Sequence, residues 1–187
     1  MNTPEGYSGQ SNTHFFQAKF DGQEITHEEK GDWLHDMWEH GLHIIPCGSP
    51  HEIVPAYYRK RHPFDDELAL KAKWAKTPRI NWSHYQNIQP SDEEIQQWHE
   101  QYPQANWAAI TGISFVVIDA DSDEAVDWIG SGSITQTPLI QRTPRGGAHY
   151  FYGLGTNQIK TGAGARKIDT RGKGGYVMVA PSAGYTM

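Results

Sequence analysis

The chain has 187 residues, 37% of them hydrophobic and 12% aromatic with seven Trp and nine Tyr, which excludes a disordered protein and leaves room for one substantial core rather than two. Its formal net charge of -6 speaks against a protein that coats nucleic acid nonspecifically, and its single cysteine, Cys47, rules out an internal disulfide framework or a cysteine-based zinc cluster. No long apolar span or early signal-like segment is present, so the expectation is a cytoplasmic protein without a membrane partner.

In chain order, residues 1–24 are rich in Gly, Ser, Asn, Thr and Gln apart from Phe15, Phe16 and Phe20. They read as a mobile or loosely docked arm, and residues 1–30 are set apart from a domain over 31–187. From about Asp32, Trp33-Leu34 and Met37-Trp38 form a helical stripe that stops at Gly41, and a strand follows over Leu42–Ile45 with Cys47 as a small buried residue just beyond. Residues 48–64 show no clear period, whereas Asp65–Lys76 opens on acids and ends on lysines, as the helix dipole favours. Trp82 and Tyr85 fall in a loop. Ser91-Asp92-Glu93-Glu94 is a capping box, so a helix runs from there to about Tyr102-Pro103 with Ile95 and Trp98 inward.

Two short apolar runs, Trp107–Thr111 and Ser114–Asp119, are joined by Gly112 and predict a hairpin or tight crossover. A short helix over Asp123–Ile129 comes next. Then Leu139–Thr143 and Ala148–Tyr152 flank Pro144-Arg145-Gly146-Gly147, and Ile168–Thr170 and Tyr176–Ala180 flank Arg171-Gly172-Lys173-Gly174-Gly175, each a strand, turn and strand.

The chemistry gathers at the ends of these strands. Phe115–Asp121 is a saturated apolar run that stops on two carboxylates, Asp119 and Asp121, one residue apart. Alternation along an extended chain turns both to one side, where they repel unless a proton or cation sits between them. Hard ions such as Mg²⁺ or Mn²⁺ suit such oxygens, and a solvated Asx turn suits the same spacing. Between Arg142 and Lys173 the chain carries Arg142, Arg145, Lys160, Arg166, Lys167, Arg171 and Lys173 against one acid, Asp169, a balance that fits either a polyanionic ligand or a solvated basic face. Gly146-Gly147 and the glycines around Lys173 let backbone approach a phosphate, although plain hairpin turns explain them too. His149, just past one of these turns and beside Arg145, is a candidate donor to phosphate, and Asp169 a candidate third carboxylate.

Asp119-Ala120-Asp121, then Thr143-Pro144-Arg145-Gly146-Gly147-Ala148-His149, then Ile168-Asp169-Thr170-Arg171-Gly172-Lys173-Gly174-Gly175-Tyr176 with Pro181-Ser182, together resemble the bifunctional primase/polymerase (prim-pol) domain of the archaeo-eukaryotic primase superfamily. Upstream, Gly41–Pro46, Lys76-Thr77-Pro78 with Trp82, and Asn106–Gly112 look like further elements of that family, so the resemblance covers roughly 32–182.

The resemblance implies an α/β (α+β) fold: a modified RNA-recognition-type sheet carrying the carboxylates, beside a smaller N-terminal α/β unit, with a cleft between. It implies a DNA-dependent nucleotidyltransferase, a primase or DNA polymerase that adds nucleotides from NTPs or dNTPs to a primer on single-stranded DNA. Two divalent ions, Mg²⁺ or Mn²⁺, would sit on Asp119, Asp121 and Asp169, with His149 at the triphosphate. Arg145, Gly146, Gly147, Arg171 and Lys173 would support the phosphates, and a helicase or other replication protein would be a further partner. Arg59, Lys60, Arg61 and Trp82, with Tyr57 and Tyr58 nearby, are candidates for the template path.

Two features depart from the family pattern. Gly147 stands where other branches of the superfamily have a serine two residues before the histidine. The chain also stops at Met187, where such domains commonly continue, so the expectation includes a C-terminal truncation. The competing readings are a metal-dependent nuclease, which also uses paired carboxylates, and a non-catalytic nucleotide- or DNA-binding module of a replication initiator.

Overall fold

A computed structural model describes residues 25–187. The arm expected over 1–30 therefore lies largely outside the described residues, and its last part belongs to the first helix. Helix α1 (His27–Glu39) starts earlier than its apolar stripe suggests because a capping box precedes the stripe. Thr26 Oγ1 accepts from the Glu29 amide at 3.2 Å, and the Glu29 carboxylate accepts from the Thr26 amide at 2.8 Å. Helix α2 (Ala56–Arg61) lies in the stretch without a clear period; six residues entered from Pro55 are too few to display a helical repeat. Helix α3 (Glu67–Trp74) is capped by Asp66, which accepts from the Ala69 amide at 2.8 Å. A 3₁₀ turn, Ser83–Gln86, carries the buried Tyr85. Helix α4 (Asp92–Gln101) has the expected Ser91 capping box, buries Ile95 and Trp98, and packs on α1. Helix α5 (Asp123–Trp128) is capped by Ser122.

The seven strands among the described residues form two antiparallel sheets. They are β1 (Ile44–Cys47), β2 (Asn106–Ile110), β3 (Phe115–Ala120), β4 (Ile140–Arg142), β5 (Ala148–Gly153), β6 (Ile168–Arg171) and β7 (Tyr176–Val179). One sheet has the order β1-β2-β7, the other β4-β5-β3-β6. Cys47 ends β1 and is buried, as expected, and burial raises its thiol pKa, which keeps it a small apolar residue.

Of the hairpin or tight crossover expected across Gly112, the structure has the crossover, which passes between sheets, because β2 pairs with β1 and β7 while β3 pairs with β5 and β6. The glycine turn after Arg171 is likewise a crossing rather than a hairpin turn, carrying the chain from β6 back to β7 in the other sheet. The first sheet consequently takes its third strand from the C-terminal end, so the smaller unit is not a contiguous N-terminal piece. Only β4 and β5 form the hairpin read from the sequence, with Arg142 opposite Ala148 and Gln141 opposite His149.

Strand β3 is apolar on both faces because it is covered on both. Phe115 and Val117 join the core shared with the first sheet, α1 and α4, together with Trp107, Ile45 and Met178. Ile118 and Ala120 turn the other way, onto Ala125 and Ile129 at α5. Asp119 follows Val117 on the inner face, so it sits at the margin of the core between the sheets.

The two crossovers touch each other. The Thr111 amide donates to the Gly175 carbonyl at 3.0 Å, and Thr111 Oγ1 donates to the Gly172 carbonyl at 2.7 Å. Gly112 has φ +78, and a Cβ there would run into the backbone of Lys173. We expect Gly112→Ala to cost about 2–4 kcal/mol, combining left-handed strain with a backbone clash. A lowered urea midpoint at an unchanged slope would report it.

Candidate active site

Antiparallel register assembles the site. Asp119 on β3 lies opposite His149 on β5 on one side and opposite Asp169 on β6 on the other, and His149 lies opposite Gln141 on β4. Cross-strand partners at one level share a face, so four side chains from four strands form a single polar row. Asp119 is 6% exposed and His149 likewise 6%, whereas Asp121, one step beyond β3, is exposed.

Asp119 and Asp169 are held by one cation. Arg171, two residues after Asp169 and on the same face, donates from Nε and Nη2 to Asp119 Oδ2 at 3.0 and 2.8 Å, and from Nη2 to Asp169 Oδ2 at 3.1 Å. Asp169 Oδ1 accepts from the Gly164 amide at 3.2 Å. The other oxygen of the central acid differs: Asp119 Oδ1 is buried with no hydrogen-bond partner, and His149 Nε2 is 3.5 Å from it. Partial desolvation at the mouth of the site, and after it the Asp119 charge, raise the pKa of the exposed Asp121. Burial pushes His149 down to about 4, which keeps its imidazole neutral near pH 7.

Two hollows meet at this row, of about 320 and 280 Å³. Lys76, Asp119, His149 and Tyr185 line both. The first is completed by Arg171, Gly174, Gly175 and Tyr176, the second by Asp121, Thr143, Pro144 and Arg145. A separate apolar hollow of about 400 Å³, lined by Leu42, Phe115, Leu139 and Phe151 among others, holds none of the carboxylates. The candidate carboxylates Asp119 and Asp121 therefore line the two smaller spaces.

The residues singled out from the sequence are therefore brought together in part. Asp119, Asp121, His149, Arg145 and Arg171 share the hollows, while Asp169, in the row by register and joined to it by Arg171, lines neither hollow. Gly146, at φ +83, and Gly147 shape the turn behind Arg145; a Cβ on Gly147 would collide with the Ala120 carbonyl. Lys173 is exposed and lines neither hollow, its backbone being tied to Ile159 and Thr161. On α2, Arg59 is paired with Glu67 at 2.5 and 2.9 Å, and Arg61 lies over the exposed Tyr57 ring at 5.9 Å. Tyr58 is a packing residue against Trp74. Trp82 meets Tyr176 edge-on at 5.2 Å.

Three lining or neighbouring side chains do not stand out in the sequence. Lys76, just beyond α3, is exposed at the rim of both hollows, and partial desolvation first, then Arg145, lower its pKa while Asp119 and Asp121 oppose this. Its one signal is the Lys76-Thr77-Pro78 element. Tyr185 rests its ring 5.9 Å from that of His149. Gln141 is fully buried; a lone amide in an apolar hairpin strand is its signal, legible only once the hairpin register is known.

Among the described residues, no group of three or more His, Cys, Asp or Glu side chains is arranged as a ready metal site. The donor chemistry of the Asp119–Asp121 end nonetheless fits a hard divalent cation: Asp119, whose Oδ1 is buried without a hydrogen-bond partner, lines a hollow shared with a second, repelled carboxylate. Also among the described residues, no helix is long and apolar enough to cross a membrane.

Acids and cations interleave in a cleft of an α+β domain, an arrangement suited to binding phosphate esters. The chain matches the model of the bifunctional DNA primase/polymerase N-terminal (Prim-Pol) family over residues 34–186 and belongs to that family. The family implies a nucleotidyltransferase-type enzyme of DNA replication. A comparison with curated proteins returns no match.

Arg171 neutralises a carboxylate that is almost wholly buried. We expect Arg171→Met to destabilise the metal-free protein by about 2–4 kcal/mol, below the cost of breaking a fully buried pair because the guanidinium is partly solvated. Chemical denaturation at neutral pH measures it.

Proposed function

We propose that the domain over 31–187 is a DNA-dependent nucleotidyltransferase that adds nucleotides from NTPs or dNTPs to a primer on a single-stranded DNA template. The observation that carries this reading is the register row His149–Asp119–Asp169, with Asp121, Arg145 and Lys76 gathered at the hollows around Asp119. Asp119 and Asp121 would hold Mg²⁺ or Mn²⁺, with Asp169 joining them once Arg171 gives up its hold. When bound, two such ions supply the charge that activates a 3′ hydroxyl and neutralises the leaving pyrophosphate.

The chain's own residues do the rest by position and charge. Arg171 is a built-in substitute cation: with a divalent ion on the acids, its guanidinium is free to turn to a phosphate, where planar donors bind bidentately. Lys76 and Arg145 both line the hollow at the Asp119–Asp121 end and suit the triphosphate; the Gly146-Gly147 turn packs closely against Ala120 and Asp123 beside Arg145. The neutral His149 offers a donor without adding charge. Lys173, exposed beyond β6, would act at longer range, and Lys60, Arg61 and Tyr57 on α2 would serve the template. The natural setting of such an enzyme is the cytoplasm, beside a helicase or another replication protein.

The test is incubation with labelled dNTPs or NTPs, Mg²⁺ or Mn²⁺, and primed or unprimed single-stranded DNA. Extension is expected. Degradation of the DNA without any incorporation would replace this reading with a nuclease. Asp119→Ala and Asp121→Ala should each abolish incorporation while leaving DNA affinity largely intact. If both variants keep full biological activity in replication, the domain is a binding module. Lys76→Ala should raise the KM for nucleotide on the order of tenfold, as expected for one lost charge-assisted hydrogen bond to phosphate, and steady-state kinetics at fixed DNA would show it.

A further inference from the structure

Gln141 has no exposed surface, and its side chain joins β4 to β5 and to the end of β7. Its Oε1 accepts from the Ala180 amide at 2.6 Å, its Nε2 donates to the Met178 carbonyl at 2.8 Å, and the same Nε2 lies 2.9 Å from Nδ1 of His149. Only one orientation of this amide works. Turned over, its oxygen would face the Met178 carbonyl and its NH₂ would face the Ala180 N–H, two like-with-like pairs sealed from water. The backbone around β7 therefore decides which end of Gln141 meets the histidine, and it is the donor end.

A neutral imidazole carries one N–H and one lone pair. Facing an N–H donor, Nδ1 is the lone-pair nitrogen, so the proton is on Nε2, the nitrogen on the Asp119 side. We propose that Gln141 is a positioning residue that fixes the tautomer of His149, keeping Nε2–H directed at the Asp119 side of the site as a donor for a phosphate oxygen of the nucleotide. The phosphate half of this statement rests on the nucleotidyl-transfer reading; the tautomer does not. The other tautomer would turn a lone pair toward Asp119 and any phosphate, acceptor against acceptor. Its support would be the Met178 carbonyl, which also lies near enough to the imidazole to favour a proton there. Gln141 prevents this by supplying its N–H to both groups.

Two-bond ¹⁵N–¹H correlation spectra of the labelled, metal-free protein at neutral pH distinguish protonated from unprotonated ring nitrogens, and His149→Asn assigns the signals. The expected result is an unprotonated Nδ1 and a protonated Nε2 in the native protein. In Gln141→Glu, whose carboxylate accepts, the pattern should reverse; in Gln141→Met the Nε2–H bias should be lost. A native spectrum with the proton on Nδ1 overturns the proposal, and it does so whether or not the variants fold. So does a folded Gln141→Met that keeps the native tautomer.

Kinetics supply the second readout. Gln141→Met should raise the KM for nucleotide on the order of tenfold, the effect of losing one hydrogen bond to a charged group, with a smaller change in kcat. A merely structural role would lower the melting temperature and the active fraction while leaving KM and the tautomer unchanged. Absence of incorporation by the native protein would refute the nucleotidyl-transfer reading, and the spectrum would still decide the tautomer.

Discussion

A carboxylate buried at the seam between two sheets is the constraint around which this domain is organised. Asp119 cannot remain charged in that place without compensation, since the desolvation of an ion costs several kcal/mol even after relaxation. Arg171 answers one of its oxygens, and the other is left facing His149 without a hydrogen bond. A group so arranged gains most from a cation that the cleft admits from outside.

The scaffold that holds Asp119 there is a pair of sheets laced together rather than stacked as separate units. The chain leaves the first sheet after β2 and returns to it at β7, and the two crossings lie against each other at Thr111-Gly112 and Gly172–Gly175. Glycine is needed at Gly112 because backbone must pass backbone there. Gln141 makes a further tie, joining the hairpin of the second sheet to the Met178 carbonyl and the Ala180 amide of the first. Gln141 thus belongs both to the polar row and to the inter-sheet seam, which couples the geometry of the site to the integrity of the fold.

Much of this was legible locally. The run Phe115–Ala120 reads as a strand because it is apolar throughout, and the Ser91 capping box and the acidic opening of α3 appear where their sequences put them. The hairpin across Arg145-Gly146-Gly147 is likewise local, since turn and strands are contiguous. Helix α2 and the start of α1 are not legible in the same way: one is too short for a period to show, and the other begins in a polar cap ahead of its stripe. The Gly112 and Gly172–Gly175 turns resemble hairpin turns in sequence because a glycine permits a reversal and a crossing alike.

The sequence by itself determined the family motifs, the order Asp119, Asp121, His149, Asp169 along the chain, and the strand ends that carry them, because alternation and turn chemistry are local. Tertiary structure alone decided that β6 and β7 part company, that Asp169 meets Asp119 through Arg171, and that Lys76, Gln141 and Tyr185 stand beside them. Those relations depend on which strands pair, a choice made by burying both faces of β3 at once, and no window of the sequence contains both sides of that choice.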